Sequence, residues 1–162
     1  MTVSEYNKSV ESYSDNLYRF VLKNIKDIDK AKDIVQDTFL KFWEKRDNVD
    51  VAKIKSYLFT TAYHTLIDVV RKEKKQGSFD AVKEENYSTK TEYSDLQEIL
   101  HEAIEQLPAD QKAVILLRDY EGYAYDEIGE ITNLKESQVK VYIFRARKKL
   151  KEILVSIEAV LD

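Results

Sequence analysis

The sequence has no cysteine, one proline and three glycines among its 162 residues. A chain without cysteine forms no disulfide and offers no thiolate ligand to a metal. So few helix-breaking residues, beside abundant leucine, isoleucine, lysine and glutamate, favour helices joined by short connections. The first six residues lack the basic and apolar blocks of a signal peptide, and no apolar run approaches the length of a membrane span. We therefore expect an all-α, cytoplasmic protein with no membrane insertion.

The sequence does not indicate an enzyme or a metalloprotein. Its two histidines, His64 and His101, have no partner at the spacing that metal ligation or nucleophilic catalysis requires. We therefore expect no enzymatic activity, no metal site and no cofactor. The formal net charge of −4 also argues against strong unaided binding to nucleic acid, because phosphate binding depends on positive charge.

The C-terminal part of the chain carries the most informative pattern. It predicts a short helix at Tyr125–Thr132, a tight turn at Asn133–Lys135 and a longer helix at Glu136–Leu154. Two helices joined by so short a turn form a helix-turn-helix, whose second helix is built to enter a DNA major groove. The longer helix has one apolar stripe at three- and four-residue steps, formed by Val139, Ile143, Ala146, Leu150 and Ile153.

The opposite face of this longer helix is basic. It carries Ser137, Lys140, Val141, Phe144, Arg145 and Lys148. Basic side chains neutralise phosphates, while Val141 and Phe144 are suited to contact thymine methyl groups. The simpler interpretation is a charged face that meets only solvent, but the turn just before the basic segment favours DNA binding.

The N-terminal part of the sequence predicts two helices, the second of which carries a candidate interface. The first runs over Ser4–Lys26, and the second follows a cap at Asp27 and continues to Arg46. Helical spacing places one polar and aromatic set on the outside of the second helix: Asp33, Gln36, Asp37, Leu40 and Trp43. Exposed leucine and tryptophan among carboxylates indicate a protein interface. The alternative is that Trp43 folds back onto the third helix.

The third helix is predicted over Val51–Lys74, after a cap at Asp50. Its core side has Leu58, Ala62, Thr65, Leu66 and Val69, and Phe59 lies near an edge. Its other side shows Thr60, Tyr63, His64 and Arg71, and Tyr57, like Phe59, lies near an edge. Basic residues interleaved with aromatic ones suit single-stranded DNA, since bases stack on rings and phosphates meet cations. Taken alone, the stretch fits an ordinary amphipathic helix better.

The composition changes at Gln76 and stays polar and aperiodic to Tyr93. We interpret this stretch as a flexible linker, and divide the chain into a domain at 1–75, a linker at 76–92 and a domain at 93–162. In the second domain, Pro108 separates two predicted helices and Gly122 ends the later one. The fold expected is two small helical domains, the second a helix-turn-helix module.

Five segments together resemble the extracytoplasmic function family of bacterial sigma factors. The most specific lie in the second domain, where Leu116–Ile128 follows the pattern LLR…EG.SY.EIA. The others are Ala103–Pro108, Val139–Leu150 (VKSR..RARKKL), Asp33–Trp43 (D.VQE.FL..W), and Ser56–Phe59 followed by Leu66–Asp68. Their order along the chain is that of the family.

The resemblance implies a factor that binds core RNA polymerase and promoter DNA, and that is controlled by an anti-sigma factor. It implies that the face of Asp33, Gln36, Asp37, Leu40 and Trp43 docks on polymerase. The third-helix set (Tyr57, Thr60, Tyr63, His64 and Arg71) would open the −10 element. The basic face of the last helix would read the −35 element, and Arg118 would hold a phosphate.

The sequence departs from the family pattern at two places. His64 stands where the family commonly has asparagine, so the base preferred there is in doubt. Val141 and Tyr142 replace the usual Ser-Arg pair, which shifts the expected −35 preference toward methyl contacts.

Two other functions are compatible with parts of the sequence. An autonomous DNA-binding regulator would use the same helix-turn-helix, but it has no need of the acidic Asp33–Trp43 face. A helical adaptor without DNA function would leave the basic face of Glu136–Leu154 unexplained. The sigma-factor interpretation accounts for both faces.

Overall fold

The computed structural model describes the backbone of residues 1–76 and 92–161, and the side chains of residues 1–76 and 97–156. All regular structure within these ranges is helical, which confirms the all-α prediction. The helices are α1 (Val3–Ile25), α2 (Ile28–Lys45), α3 (Ile54–Gln76), α4 (Glu92–Glu105), α5 (Ala109–Asp119), α6 (Tyr125–Thr132) and α7 (Glu136–Leu161). None of them, as far as they are described, is long and apolar enough to cross a membrane.

The ends of α1 and α2 are set by local polar groups. Thr2 and Glu5 form a capping box, in which the Thr2 hydroxyl accepts from the Glu5 N–H and the Glu5 carboxylate accepts from the Thr2 N–H. Lys26 ends α1 in the left-handed conformation, with φ of 57°. Asp27 caps α2 as predicted, because its carboxylate accepts the Lys30 N–H at 3.0 Å.

The first domain packs α1, α2 and α3 around one apolar core. Each helix contributes large, fully buried side chains: Leu17, Phe20, Ile34, Phe42, Leu58 and Leu66. The buried hydroxyl of Thr38 donates to the Ile34 carbonyl at 2.8 Å, so it does not disturb this core.

The second domain packs α4, α5, α6 and α7 in the same way. Pro108 precedes α5, and Gly122 follows it with φ of 76°, as their roles at helix ends predict. The core is formed by Leu107, Val114, Leu117, Ile128, Ile131, Val139, Ile143 and Ala146.

Four predicted boundaries differ from the structure. Residues Val51–Lys53 form a 3₁₀ turn before α3, and α7 continues past Leu154 to Leu161. Gln76 and Glu92, the two ends of the predicted linker, belong to α3 and α4. The predicted flexibility of the linker concerns residues 77–91, which lie outside the described residues.

The two domains lie against each other. Helix α6 packs along α3, and α5 contacts both α1 and α3. The buried apolar side chains of the two domains form one continuous cluster. One face of α3 is therefore covered by the second domain.

Candidate nucleic-acid interface

The turn between α6 and α7 depends on two residues with special backbone requirements. Asn133 adopts the left-handed conformation, with φ of 63°, which asparagine tolerates better than most residues. A Cβ atom on Gly129 would lie 2.8 Å from the Leu134 carbonyl oxygen. Only glycine allows α6 to approach the turn this closely, and this approach fixes the direction in which α7 leaves.

Helix α7 presents its basic face to solvent. The set of Ser137, Lys140, Val141, Phe144, Arg145 and Lys148 is exposed, while Val139, Ile143 and Ala146 are buried on the opposite side. Phe144 is 68% exposed, which is unusual for so large an apolar ring. The predicted division of α7 into a buried and an exposed face is confirmed. Its role as a DNA contact stays a prediction.

The charges along α7 differ in how far they are already engaged. Lys140 pairs with Glu136 at 3.4 Å, one turn earlier. Arg147 binds Asp119 at 2.6 Å and joins α7 to the end of α5, so its guanidinium has a structural role. No described carboxylate lies within ion-pair distance of Arg145 or Lys148, which leaves these two cations available to phosphate.

Arg118 lies under the start of α6. Its Nη1 donates to the Tyr123 carbonyl at 2.9 Å, and its guanidinium stacks 4.4 Å from the centre of the Tyr125 ring. These contacts hold the loop between α5 and α6. The phosphate contact that the resemblance implies would have to use the rest of the half-buried guanidinium.

The structure separates the residues predicted for the −10 element into two groups. His64 and Arg71 are exposed on α3, and Tyr57 and Thr60 are half-buried. Tyr63, in contrast, is only 6% exposed, so its predicted place on the open side of α3 is wrong. Phe59, predicted near an edge, is fully buried.

The second domain contributes to the burial of both residues. Burial raises the pKa of Tyr63 to about 12, and Asp110 of α5 and Tyr142 of α7 contribute to the rise. The ring of Phe59 meets the ring of Tyr123 edge-on, with 5.5 Å between the centroids. Phe59 also meets Phe20 of α1, with 5.4 Å between the ring centroids, so it lies between the two domains.

The outer face of α2 is largely open. Asp33, Gln36 and Leu40 are exposed, and Leu40 is 57% exposed. Asp37 is half-buried and pairs with Lys41 at 3.2 Å. Leucine beside carboxylates is therefore available to a partner, as predicted.

Trp43 lies at the end of the outer face of α2, where it is half-buried. It does not fold onto α3, because its ring packs edge-on against Tyr6 of α1 at 4.9 Å. The Arg46 guanidinium lies 3.6 Å from the Trp43 ring centre on the other side. The indole is therefore fixed in position at the end of the outer face of α2.

The sequence interpretation missed the residues that join the two domains. Phe59, Tyr63 and Ile67 are spaced by four residues and form a second apolar stripe on α3. That stripe was a usable signal, since a helix with two apolar stripes packs on two sides. The matching residues of the second domain, such as Tyr123, carry no comparable local signal.

The described residues contain no group of three histidine, aspartate or glutamate side chains arranged to hold a metal ion. What they do contain is an exposed basic recognition helix, a partly covered aromatic helix and an open acidic-apolar helix face. Fold and site together define a two-domain helical protein with a helix-turn-helix in its second domain.

Comparison with known proteins identifies the family to which this architecture belongs. Residues 9–76 match the family model for sigma-70 region 2, and residues 97–150 match the model for sigma-70 region 4. The chain is 33% identical to the RNA polymerase sigma factor SigV of Bacillus subtilis (strain 168), over 88% of this chain and 86% of that protein. It is 28% identical to the ECF RNA polymerase sigma factor SigM of the same organism, over 94% and 95% of the two chains.

A solved structure agrees with these matches. The sigma factor RpoE from Bartonella quintana, determined in complex with the anti-sigma factor NepR, superposes with a TM-score of 0.76 at 29% identity. The alignment covers 94% of this chain and 98% of that one. The chain belongs to the extracytoplasmic function family of RNA polymerase sigma factors, which direct promoter-specific initiation of transcription.

Proposed function

We propose that this sigma factor binds core RNA polymerase through the outer face of α2 and places α3 on the −10 element and α7 on the −35 element. The observation that carries the proposal is the pair of open, chemically different surfaces on one chain. One is acidic and apolar, on α2, and the other is basic with an exposed ring, on α7. A protein that joins an enzyme to DNA needs both.

Docking on polymerase would use Asp33, Gln36, Asp37, Leu40 and Trp43. Leu40 offers apolar area that the fold leaves open. Trp43 supplies an aromatic surface held in place by Tyr6 and Arg46, so little side-chain freedom is lost when a partner binds. The carboxylates of Asp33 and Asp37 set the charge that the partner surface must complement.

Reading of the −35 element would use the exposed face of α7. Arg145 and Lys148 are the cations best placed to neutralise phosphates. Val141 and Phe144 favour a site with thymine methyl groups in the major groove, and Ser137 and Lys140 contact the start of the site. Arg118 would add a phosphate contact from the side of α6.

Opening of the −10 element would use α3. His64 and Arg71 are exposed and meet an unpaired strand first, with Tyr57 and Thr60 beside them. Tyr63 joins them only when the second domain leaves α3. Histidine stands where the family commonly has asparagine, so the base preferred at His64 has to be determined for this chain and not taken from the family.

The remaining assignments follow from the family. The factor would act in the cytoplasm, where core polymerase and promoter DNA are found, and would have no enzymatic activity of its own. An anti-sigma factor would hold it inactive, as NepR is bound in the structure of the RpoE relative.

Fluorescence anisotropy on promoter DNA, with and without core polymerase, tests the proposal. The free protein has a net charge of −4, so we expect weak or undetectable binding to promoter DNA. Adding core polymerase should give tight, sequence-selective binding, because two weak contacts then act as one tethered contact. An autonomous regulator would instead bind its site alone in the nanomolar range, and that result would overturn the proposal.

The contribution of α7 is tested by Arg145→Ala with Lys8→Ala as the matched control. Both substitutions remove one exposed cation, but Lys8 lies on α1, far along the chain from the recognition helix. Loss of a phosphate contact should lower the salt dependence of holoenzyme binding by about one ion in Arg145→Ala only. Equal salt dependence in the two variants would contradict the assignment of α7.

A further inference from the structure

A small cavity lies between the end of α1 and the helices α4 and α5. Its polar lining consists of Lys23, Lys26, His101 and Glu105. None of these residues belongs to the sets assigned to polymerase or to DNA. The cavity has a volume of about 40 Å³, and one water-sized group needs roughly 10–15 Å³. It therefore accommodates about three such groups.

The lining carries more positive than negative charge. Among the described residues that line the cavity, Glu105 is the one carboxylate, and it pairs with Lys26 at 3.8 Å. The same carboxylate binds Lys112 of α5 at 3.3 Å, so two ammonium groups share one negative charge. Lys23 has no described carboxylate within ion-pair distance, and its ammonium lies 4.0 Å from the centre of the Tyr120 ring.

The protonation equilibria of the lining reflect this excess of positive charge. The pKa of His101 is lowered by burial and also by the positive charges of Lys26 and Lys23. The pKa of Lys23 is likewise lowered by burial, and the charge of Arg19 adds to this effect. Three carboxylates oppose these shifts without cancelling them: Glu98, Glu105 and Glu121. An anion in the cavity would be stabilised by the same field that disfavours these cations.

We propose that this cavity binds the phosphoryl group of a small ligand, either inorganic phosphate or a phosphate monoester. The ammonium groups of Lys23 and Lys26 and the imidazole of His101 donate to the phosphoryl oxygens. Three oxygens fill the cavity, and the fourth points to solvent past the Tyr120 ring, which is 36% exposed. The remaining lining is apolar and is formed by the buried side chains of Ile104 and Leu116.

The chemistry of the lining favours a phosphoryl group over other ligands. Lysine and histidine are hydrogen-bond donors to anionic oxygens, and three donor side chains match three terminal oxygens. A carboxylate has two oxygens and would leave one donor unused. The phosphodiester of a nucleic acid carries a substituent on each side, and a cavity of this size has no place for the second.

The position of the cavity couples a bound ligand to the whole molecule. Lys23 and Lys26 belong to the first domain, while His101 and Glu105 belong to the second. A ligand that binds where the two domains meet stabilises that arrangement by its own binding free energy. The availability of a phosphorylated ligand would therefore influence the free factor through a site distinct from its DNA-binding surfaces.

The two histidines of the chain provide a local test of the cavity. His101 lines it, whereas His64 is exposed on α3. Their ring-proton signals in NMR spectra of the full-length protein report the two places separately, and His101→Gln assigns them. Inorganic phosphate at constant pH should shift the His101 signals saturably and leave those of His64 unchanged. No saturable shift of His101, or an equal shift of both rings, would overturn the site.

Lysine substitutions test which ammonium groups hold the ligand. Lys23→Met and Lys26→Met should each weaken phosphate binding by at least about fivefold, because each removes a charge-assisted hydrogen bond. Lys8→Met is the matched control, since it removes the same charge from an exposed position of α1 that does not line the cavity. It should leave the affinity unchanged. An equal loss in all three variants would assign the effect to net charge and overturn the site.

Glu105→Gln separates phosphate binding from the contact between the helices. It breaks the same ion pair as Lys26→Met, but it keeps an oxygen that accepts from Lys112. Removing the negative charge should strengthen phosphate binding by at least about twofold, since a like charge next to the anion is lost. Weaker binding in Glu105→Gln would mean that the cavity responds to helix packing and would overturn recognition by its cations.

Titrations with AMP and adenosine distinguish the two sources of the phosphoryl group. Tighter binding of AMP than of inorganic phosphate would identify a monoester as the ligand, and the reverse order would identify free phosphate. Adenosine that binds as tightly as AMP would overturn phosphoryl recognition. All of these titrations use the free protein, so their outcome does not depend on whether α2, α3 and α7 bind polymerase and promoter DNA.

Discussion

Leu40 is the residue whose exposure bears most directly on polymerase docking. It stands 57% exposed among carboxylates, and so does Ile28 at the start of the same helix. Leu40→Arg should weaken core binding by about 2 kcal/mol or more, the scale of an interface hot spot. Ile28→Arg is the matched control, because it places the same charge at an equally exposed site outside the docking set. Titration with core enzyme, followed by light scattering, measures both affinities, and equal affinities would exclude this face of α2.

His64 carries the second prediction at the scale of single residues. Its ring is exposed on α3 and packs edge-on against Tyr63, with 5.3 Å between the centroids. His64→Ala should impair opening of the promoter while leaving polymerase binding unchanged. Extruding a base costs a few kcal/mol, and the variant loses a contact that offsets part of this cost. Permanganate footprinting reports the opened thymines. Equal thymine reactivity in both proteins would mean that His64 only covers the helix surface.

At the scale of elements, the helix-turn-helix depends on the close approach at Gly129. Gly129→Ala puts a Cβ 2.8 Å from the Leu134 carbonyl oxygen, so the turn must move, at a cost of roughly 1–3 kcal/mol. Gly122→Ala is a useful comparison, because a Cβ there meets no atom within 4 Å and the only strain is its φ of 76°. Thermal unfolding should show the larger loss for Gly129→Ala, and −35 binding should fall with it.

A result in which Gly122→Ala is the more damaging substitution would contradict this account. It would place the main constraint in backbone conformation and not in the distance between α6 and the turn. The two glycines thus separate two physical effects within one domain.

The helices themselves could be predicted from the sequence because their signals are local. The cap at Asp27, the start at Pro108 and the stop at Gly122 each act within a few residues. The two faces of α7 followed from spacing alone. Here the local chemistry and the final fold agree.

The position of Tyr63 could not be predicted in this way. Its burial depends on a helix that lies about half the chain away, and a residue with a polar tip fits an exposed face equally well. Trp43 shows the same limit, because the Tyr6 ring against which it packs belongs to another helix, α1. What was missed is the set of contacts between elements distant in sequence.

At the scale of the whole molecule, the packing of the two domains against each other should depend on pH through His101. Burial lowers the pKa of His101 below its usual 6.5, and the positive charges of Lys26 and Lys23 lower it further. The other groups that face it are Glu98 and Glu105 of α4 and Tyr120, which follows α5. The carboxylates oppose the effect without cancelling it.

The sign of the pH effect follows from linkage. The packed state favours neutral His101, so its contribution to stability is complete above about pH 6.5 and is lost as the pH falls. Energy transfer between two dyes, one attached to each domain, should therefore decrease as the pH is lowered from about 7.5 to 5.5. His101→Gln, which stays neutral, should flatten this profile. A profile that is unchanged in His101→Gln would assign the pH dependence to other groups.

The buried hydroxyl of Tyr123 affects how easily the two domains separate. It is buried without a hydrogen-bond partner among the described residues. A hydroxyl in that situation costs roughly 1–3 kcal/mol relative to one in contact with water. Separation of the domains hydrates it, so release of the second domain is easier than the area of its aromatic contact alone suggests. A factor built this way can leave polymerase, close, and be recruited again in successive rounds without unfolding either domain.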